Sequence, residues 1–195
     1  MDGWLENVIR QLILYSLPVL VSLTTVTLIE SKITGKAAPH PFHAISWTGA
    51  WIPLLVSILF GRGTIIALPQ PLNSGSSAAL FRCIAHLLLC AVGFFLYSFS
   101  LDHQPPTGLP PLHHWWAKVL MFFNLCMACM HLLPLPGQWM GELLLSSKWI
   151  GSDHETIIRQ HPTLVHALFA ASPLLDWSVG AIVIFPIYEK LASLA

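Results

Sequence analysis

Val119-Leu120-Met121-Phe122-Phe123-Asn124-Leu125-Cys126-Met127-Ala128-Cys129-Met130-His131-Leu132-Leu133-Pro134-Leu135-Pro136-Gly137-Gln138-Trp139-Met140-Gly141 contains no Asp, Glu, Lys or Arg. A charge-free run of this length supplies the ~20 residues that a helix needs to cross a bilayer. It reads as helix to about Leu133, where Pro134 and Pro136 break the hydrogen-bond ladder. Glu142 then opens a short continuation through Leu145. Residues 11–29, the interval between Lys36 and Arg62, and residues 83–101 are likewise free of charge. A fifth apolar stretch, 162–188, is interrupted by Asp176, with Pro173 as a point of division.

Composition agrees. The chain is 55% hydrophobic and 9% charged, with a mean hydropathy of +0.68, whereas soluble domains carry about 25% charged residues. An aqueous globule is excluded as a reading. The expected fold is an all-α, polytopic transmembrane helix bundle of five to six spans in one membrane domain, 1–195. The spans fall near 8–30, 44–61, 78–98, 115–145 (broken near 134–136) and 162–193 (divided near 173). Trp47, Trp51, Trp115 and Trp116 suit interfacial anchors. No cleavable leader is expected, because Asp2, Glu6 and Arg10 flank the first apolar run and no small-residue cleavage site succeeds it. Basic residues divide almost evenly between the two sides, so charge sets no orientation. The expected location is the bacterial inner membrane, multi-pass.

Formal net charge is zero, which leaves nothing to attract nucleic acid. The expected partners are the lipid bilayer and other integral membrane proteins, met through lipid-facing helices.

One set of residues addresses metal chemistry directly. Cys83, His86 and Cys90 share a helical stripe at i, i+3 and i+7. Cys126 and Cys129 lie at i, i+3 on another span, close to His131. Facing one another, the six could ligate zinc, copper or haem iron, but small or polarizable residues more often serve to let helices pack closely. Glu30, Arg82, His131, Glu142 and Asp176 are ionisable groups at or near span ends, and such groups mark either function or pairing. Glu142, just beyond the proline break, is the one placed to serve a proton or ion path. The pairs His113–His114 and His40–His43 read as loop structure. Residues 36–43 and 63–73 are expected to form β-like hairpins.

The motif His131-Leu132-Leu133-Pro134-Leu135-Pro136-Gly137-Gln138-Trp139-Met140-Gly141 resembles the N-L-L-P-x-P-P-L-D-G signature of site-2 proteases, intramembrane zinc metalloproteases, in their compact bacterial branch. Gly35, His40-Pro41, Ile66-Ala67-Leu68-Pro69-Gln70-Pro71-Leu72-Asn73 and Ala85 to Cys90 fit other landmarks of that branch in order. The resemblance implies a site-2-protease-like core in which H-E-x-x-H falls on Leu23-Thr24-Thr25-Val26-Thr27 and the metal-binding Asp on Trp139, or on Met140 if Gly141 is the anchor. Leu23, Thr24, Thr27 and Trp139 are therefore degenerate positions, unable to hold zinc or to act as general base. The resemblance thus implies an inactive homologue without catalytic residues, cofactor or zinc: a pseudoprotease that scaffolds transmembrane helices as an accessory subunit of a larger membrane complex. Two alternatives remain. One is an active intramembrane metalloprotease with non-standard ligands from His86, His131, Cys126, Cys129 or Glu142. The other is a cofactor-binding or transport-associated membrane subunit.

Overall fold

The computed structural model describes residues 2–68, 75–105, 107–135, 137–147 and 161–195, and among these every regular element is helical. Pro69 to Asn73 of the second link, Pro136, and Lys148, Asp153, His154, Glu155 and Arg159 lie outside the described residues. Among the described residues three helices are long and apolar enough to cross a membrane: Gly3–Ile33, Ser76–Asp102 and Asp176–Leu194.

Helix α1 (Asp2–Ile33) would extend about 48 Å at 1.5 Å per residue, well beyond a ~30 Å hydrocarbon layer. It stops at Gly35, whose φ of 66° lets the Lys36 N–H turn back to Ser31 O at 2.9 Å. That closure is a glycine cap. Pro41–His43 forms a single 3-10 turn, and Thr27 Oγ1 donates to Ala44 O at 3.0 Å, holding the link against α1.

Helix α2 (Trp47–Leu59) starts at Ser46, whose hydroxyl accepts the Gly49 N–H. Pro53 sits four residues after Gly49 and has no N–H to offer its carbonyl. The Leu68 N–H takes that carbonyl instead, at 2.9 Å. Close approach is required, since a Cβ on Gly49 would stand 3.1 Å from Leu68 Cβ. Neither link expected as a β-like hairpin contains a strand among the described residues. Pro39 and Pro41 cannot donate to a ladder, and the Gly63, Thr64, Ala67 and Leu68 amides donate to Asp176, Met127 and Gly49.

Helices α3 (Ser76–Asp102) and α4 (Leu112–Met130) pack antiparallel. Cys83 meets Ala128, His86 meets Asn124, Gly93 meets Met121 and Ser100 meets His114. At Gly93 a Cβ would lie 2.5 Å from the Met121 nitrogen, so only glycine admits the backbones this closely. Helix α4 buries 13 of its 19 residues and contributes to both apolar clusters: one with α1 and α2 around Phe123 and Leu54, the other with α3 and the C-terminal helices around Met121 and Ile184.

A short link joins α4 to α5 (Trp139–Ser146). Helix α6 (Pro162–Ala171) packs on α2. The last span begins as a π-helical stretch, Asp176–Ile184, and continues as α7 (Phe185–Leu194). Asp176 accepts three hydrogen bonds, from Gly63 N, Thr64 N and Thr64 Oγ1, while Arg62 Nε donates to Ala171 O. The segment that follows α2 is thereby fastened to the start of the last span through Asp176 and to the end of α6 through Arg62. Apolar side chains face outward around the bundle, including Phe95, Phe99, Leu168, Trp177 and Ile182. The chain is a membrane-embedded protein whose described regular elements are all helical.

Candidate functional site: a buried polar band

Polar groups that the sequence scatters over four elements meet inside the bundle. Arg82 Nη1 donates to Glu30 Oε1 at 3.0 Å, and each side chain is 1% exposed. Arg82 Nη2 donates to Gly137 O at 2.9 Å, and the Gly137 N–H donates to Glu142 Oε1 at 3.1 Å. Gly137 can serve both neighbours because its φ of +77° turns the chain sharply here. One turn along α3 from Arg82, His86 Nδ1 lies 2.8 Å from Asn124 Oδ1. Asn124 Nδ2 donates to Ser22 Oγ and to Leu120 O, both at 2.8 Å. Ser22 Oγ in turn donates a hydrogen bond to Pro18 O. The band thus links α1, α3, α4 and α5.

His131, at the C-terminal end of α4, sits beside His86 with ring centroids 6.0 Å apart. Its Nδ1 accepts the Trp139 backbone N–H at 3.2 Å, and its carbonyl accepts Met140 N. The turn is tight: a Cβ on Gly141 would clash with the Leu135 carbonyl. Gln138 Nε2 lies 3.4 Å from His166 Nε2, and His166 Nδ1 donates to Pro162 O, extending the contacts to α6.

The six metal-ligand candidates line the same α3–α4 interface but do not converge. Cys83 Sγ donates to Ala128 O at 3.6 Å. Cys90, Cys126 and Cys129 are buried free thiols within one apolar cluster. His86 and His131 belong to the polar band. Among the described residues no three His, Cys, Asp or Glu side chains are grouped to hold a metal ion. Glu142 caps the Gly137 turn. His40 Nδ1 accepts Phe42 N, a local turn bond, and His114 is bonded to Ser100 and Gln104.

Asn124, Ser22, Gln138 and His166 do not stand out in the sequence. Asn124 did carry a signal, as the lone carboxamide of residues 119–137, because an amide at bilayer depth is retained where it bonds a neighbouring helix.

Leu23 packs with Leu54 and Phe123, Thr27 bonds the Ala44 carbonyl, and the Trp139 backbone serves His131. Comparison with known proteins removes the rationale for relating these positions. No protein-family model matches the chain, and no solved structure does. A curated protein, "Probable multidrug resistance protein NorM" of Mannheimia succiniciproducens, is 32% identical over 94 residues, covering 46% of this chain. The chain spans 19% of that protein's length. The resemblance to site-2 proteases is accordingly withdrawn, along with the pseudoprotease reading and the non-standard metalloprotease built on it. Its landmarks were short Leu-, Pro- and Gly-containing runs, which recur readily in a chain that is 55% hydrophobic. Gly35, one of them, is a helix cap of a kind common to unrelated folds.

Proposed function

We propose that the chain is a transport-associated subunit, multi-pass in a bacterial inner membrane, working beside other integral membrane proteins. The observation that carries this reading is the polar band. Glu30, Arg82, His86, Asn124, His131 and Glu142 are buried together within the bundle, and ionisable side chains that face the interior of a membrane bundle are costly and concentrate along solute and ion routes. The partial likeness to a protein named for multidrug resistance supports it over about half of the chain. A groove of about 340 Å³ between α1, α3 and α4 adds support. Leu17, Leu96 and Phe99 form its apolar wall, with His103, His113 and Trp116 among its polar-tipped lining. That volume falls at the lower end of small-molecule sites, which combine apolar walls with a few polar groups.

Reconstitution tests the reading. Vesicles containing the purified chain and loaded with ethidium, a lipophilic cation, should release it faster than protein-free vesicles, with or without an imposed proton gradient. Equal rates under both conditions refute it.

A further inference from the structure

Two ring nitrogens at the centre of the band are engaged by nothing among the described residues. His86 Nε2 and His131 Nε2 are both buried without a hydrogen-bond partner there, and both residues are fully enclosed at 0% exposure. Their rings are neighbours, 6.0 Å between centroids and tilted by 39°.

The opposite edges of the two rings determine where the protons sit. Asn124 Nδ2 lies 2.8 Å from the Leu120 carbonyl, an oxygen that only accepts, which settles the orientation of the amide. Oδ1 is therefore the atom facing His86 Nδ1 at 2.8 Å. A carbonyl oxygen needs a donor, so the His86 proton is on Nδ1 and its Nε2 holds a lone pair. His131 is the reverse. Its Nδ1 receives the Trp139 N–H and must hold the lone pair, so in the neutral ring the proton is on Nε2.

One ring thus offers an acceptor and its neighbour a donor. A metal ion does not match, because it needs a lone pair from each ring and His131 has committed its own to the backbone. A purely accepting or purely donating ligand satisfies one edge and opposes the other. A group that gives a proton and takes one through the same atom matches both, and that group is a hydroxyl. We propose that His86 and His131 form a two-point binding site for a single O–H group, which donates to His86 Nε2 and accepts from His131 Nε2–H. Water and the alcohol of a solute share this chemistry. Buried donors and acceptors are rarely left unmatched because their desolvation is costly, and one hydroxyl serves the two atoms at once. The inference rests on the ring geometry and goes beyond the transport reading without requiring it.

Nuclear magnetic resonance of the full chain in nanodiscs, with 15N-labelled histidine, tests it. Ring nitrogen shifts report the tautomer, and cross-relaxation from the His131 Nε2 proton reports its neighbours. His86 is expected as the Nδ1–H form and His131 as the Nε2–H form, the latter proton in contact with a hydroxyl. A contact unchanged by added glycerol identifies water as the source. New contacts to the carbon-bound protons of glycerol identify a solute alcohol. Either ring in the opposite tautomer, or a His131 proton that touches no hydroxyl with or without glycerol, overturns the proposal. In His86→Phe the hydroxyl contact should weaken at least several-fold while His131 Nδ1 keeps its Trp139 bond; an undiminished contact also overturns it. None of these measurements reads flux, so the site and the transport reading fail separately.

Discussion

Arg82 and Glu30 are held 3.0 Å apart with 1% of either side chain exposed, in surroundings where one charge without the other is costly. Removing one partner of a buried ion pair typically costs about 3–5 kcal/mol, while replacing both by apolar residues of similar volume is often neutral. Arg82→Met should therefore lower the unfolding midpoint sharply, and the double variant Glu30→Leu with Arg82→Met should recover most of the loss. A thermal-unfolding series in one detergent checks this, and a double variant no better than the single one argues against the pair as drawn. In the sequence, Glu30, Arg82, His86, His131 and Glu142 are visible as chemically expensive residues in apolar surroundings. Their pairing is not visible, because Glu30 and Arg82 lie 52 positions apart and nothing local relates them. Asn124 and Ser22 are harder still to see. They carry no charge, and their importance arises only when His86 arrives from another helix. Helical spacing puts Cys83, His86 and Cys90 on one face, but spacing does not decide whether facing side chains ligate or pack.

Helix–helix contact in a bilayer depends on close van der Waals fit, since lipid is as apolar as the helices it would release. Gly93 is where that fit is tightest. A side chain there meets the Met121 backbone at 2.5 Å to N and 2.7 Å to Cα, and neither atom can yield without moving α4. Gly93→Val should destabilise by about 1–3 kcal/mol, the usual range for overpacking. Leu88→Ala, on the outward face of the same helix at 59% exposure, should change little. Chemical denaturation of both variants in mixed micelles compares them, and equal effects contradict the antiparallel contact. A second element-level consequence concerns the last span. Asp176→Ala leaves the Gly63 and Thr64 amides without their acceptor, so hydrogen exchange at 63–64 should accelerate while α3 and α4 keep their protection. Helical character at this scale is legible from long charge-free runs. The partners are not: a lone glycine in residues 78–98 has no periodic companion to flag it, and a proline-rich link reads as a hairpin until its donors are traced.

Across the whole molecule, α4 joins two apolar clusters that otherwise share few residues. Sequence hydropathy cannot reveal that centrality, because a helix surrounded by protein and one surrounded by lipid are equally apolar. Only the side-chain environment separates Phe123, with no exposed surface, from Phe95, which is 68% exposed. The difference predicts opposite responses to the same truncation. Phe123→Ala opens a cavity at the α1–α2–α4 junction, among the fully buried Val19, Leu23 and Leu54 of the same cluster. The expected cost is about 3 kcal/mol, the lower end of the range for Phe→Ala in soluble cores, because lipid also solvates the ring in the unfolded reference state. Phe95→Ala exchanges a ring contact with lipid tails for a methyl contact and leaves the bundle intact, so its midpoint should stay close to the parent's. If α4 is the hub, the Phe123 variant should lose protection from hydrogen exchange in α1, α3 and α4 together. Protection lost in α1 and α2 while α3 and α4 keep theirs would mean that the two clusters unfold separately and that α4 does not unite them.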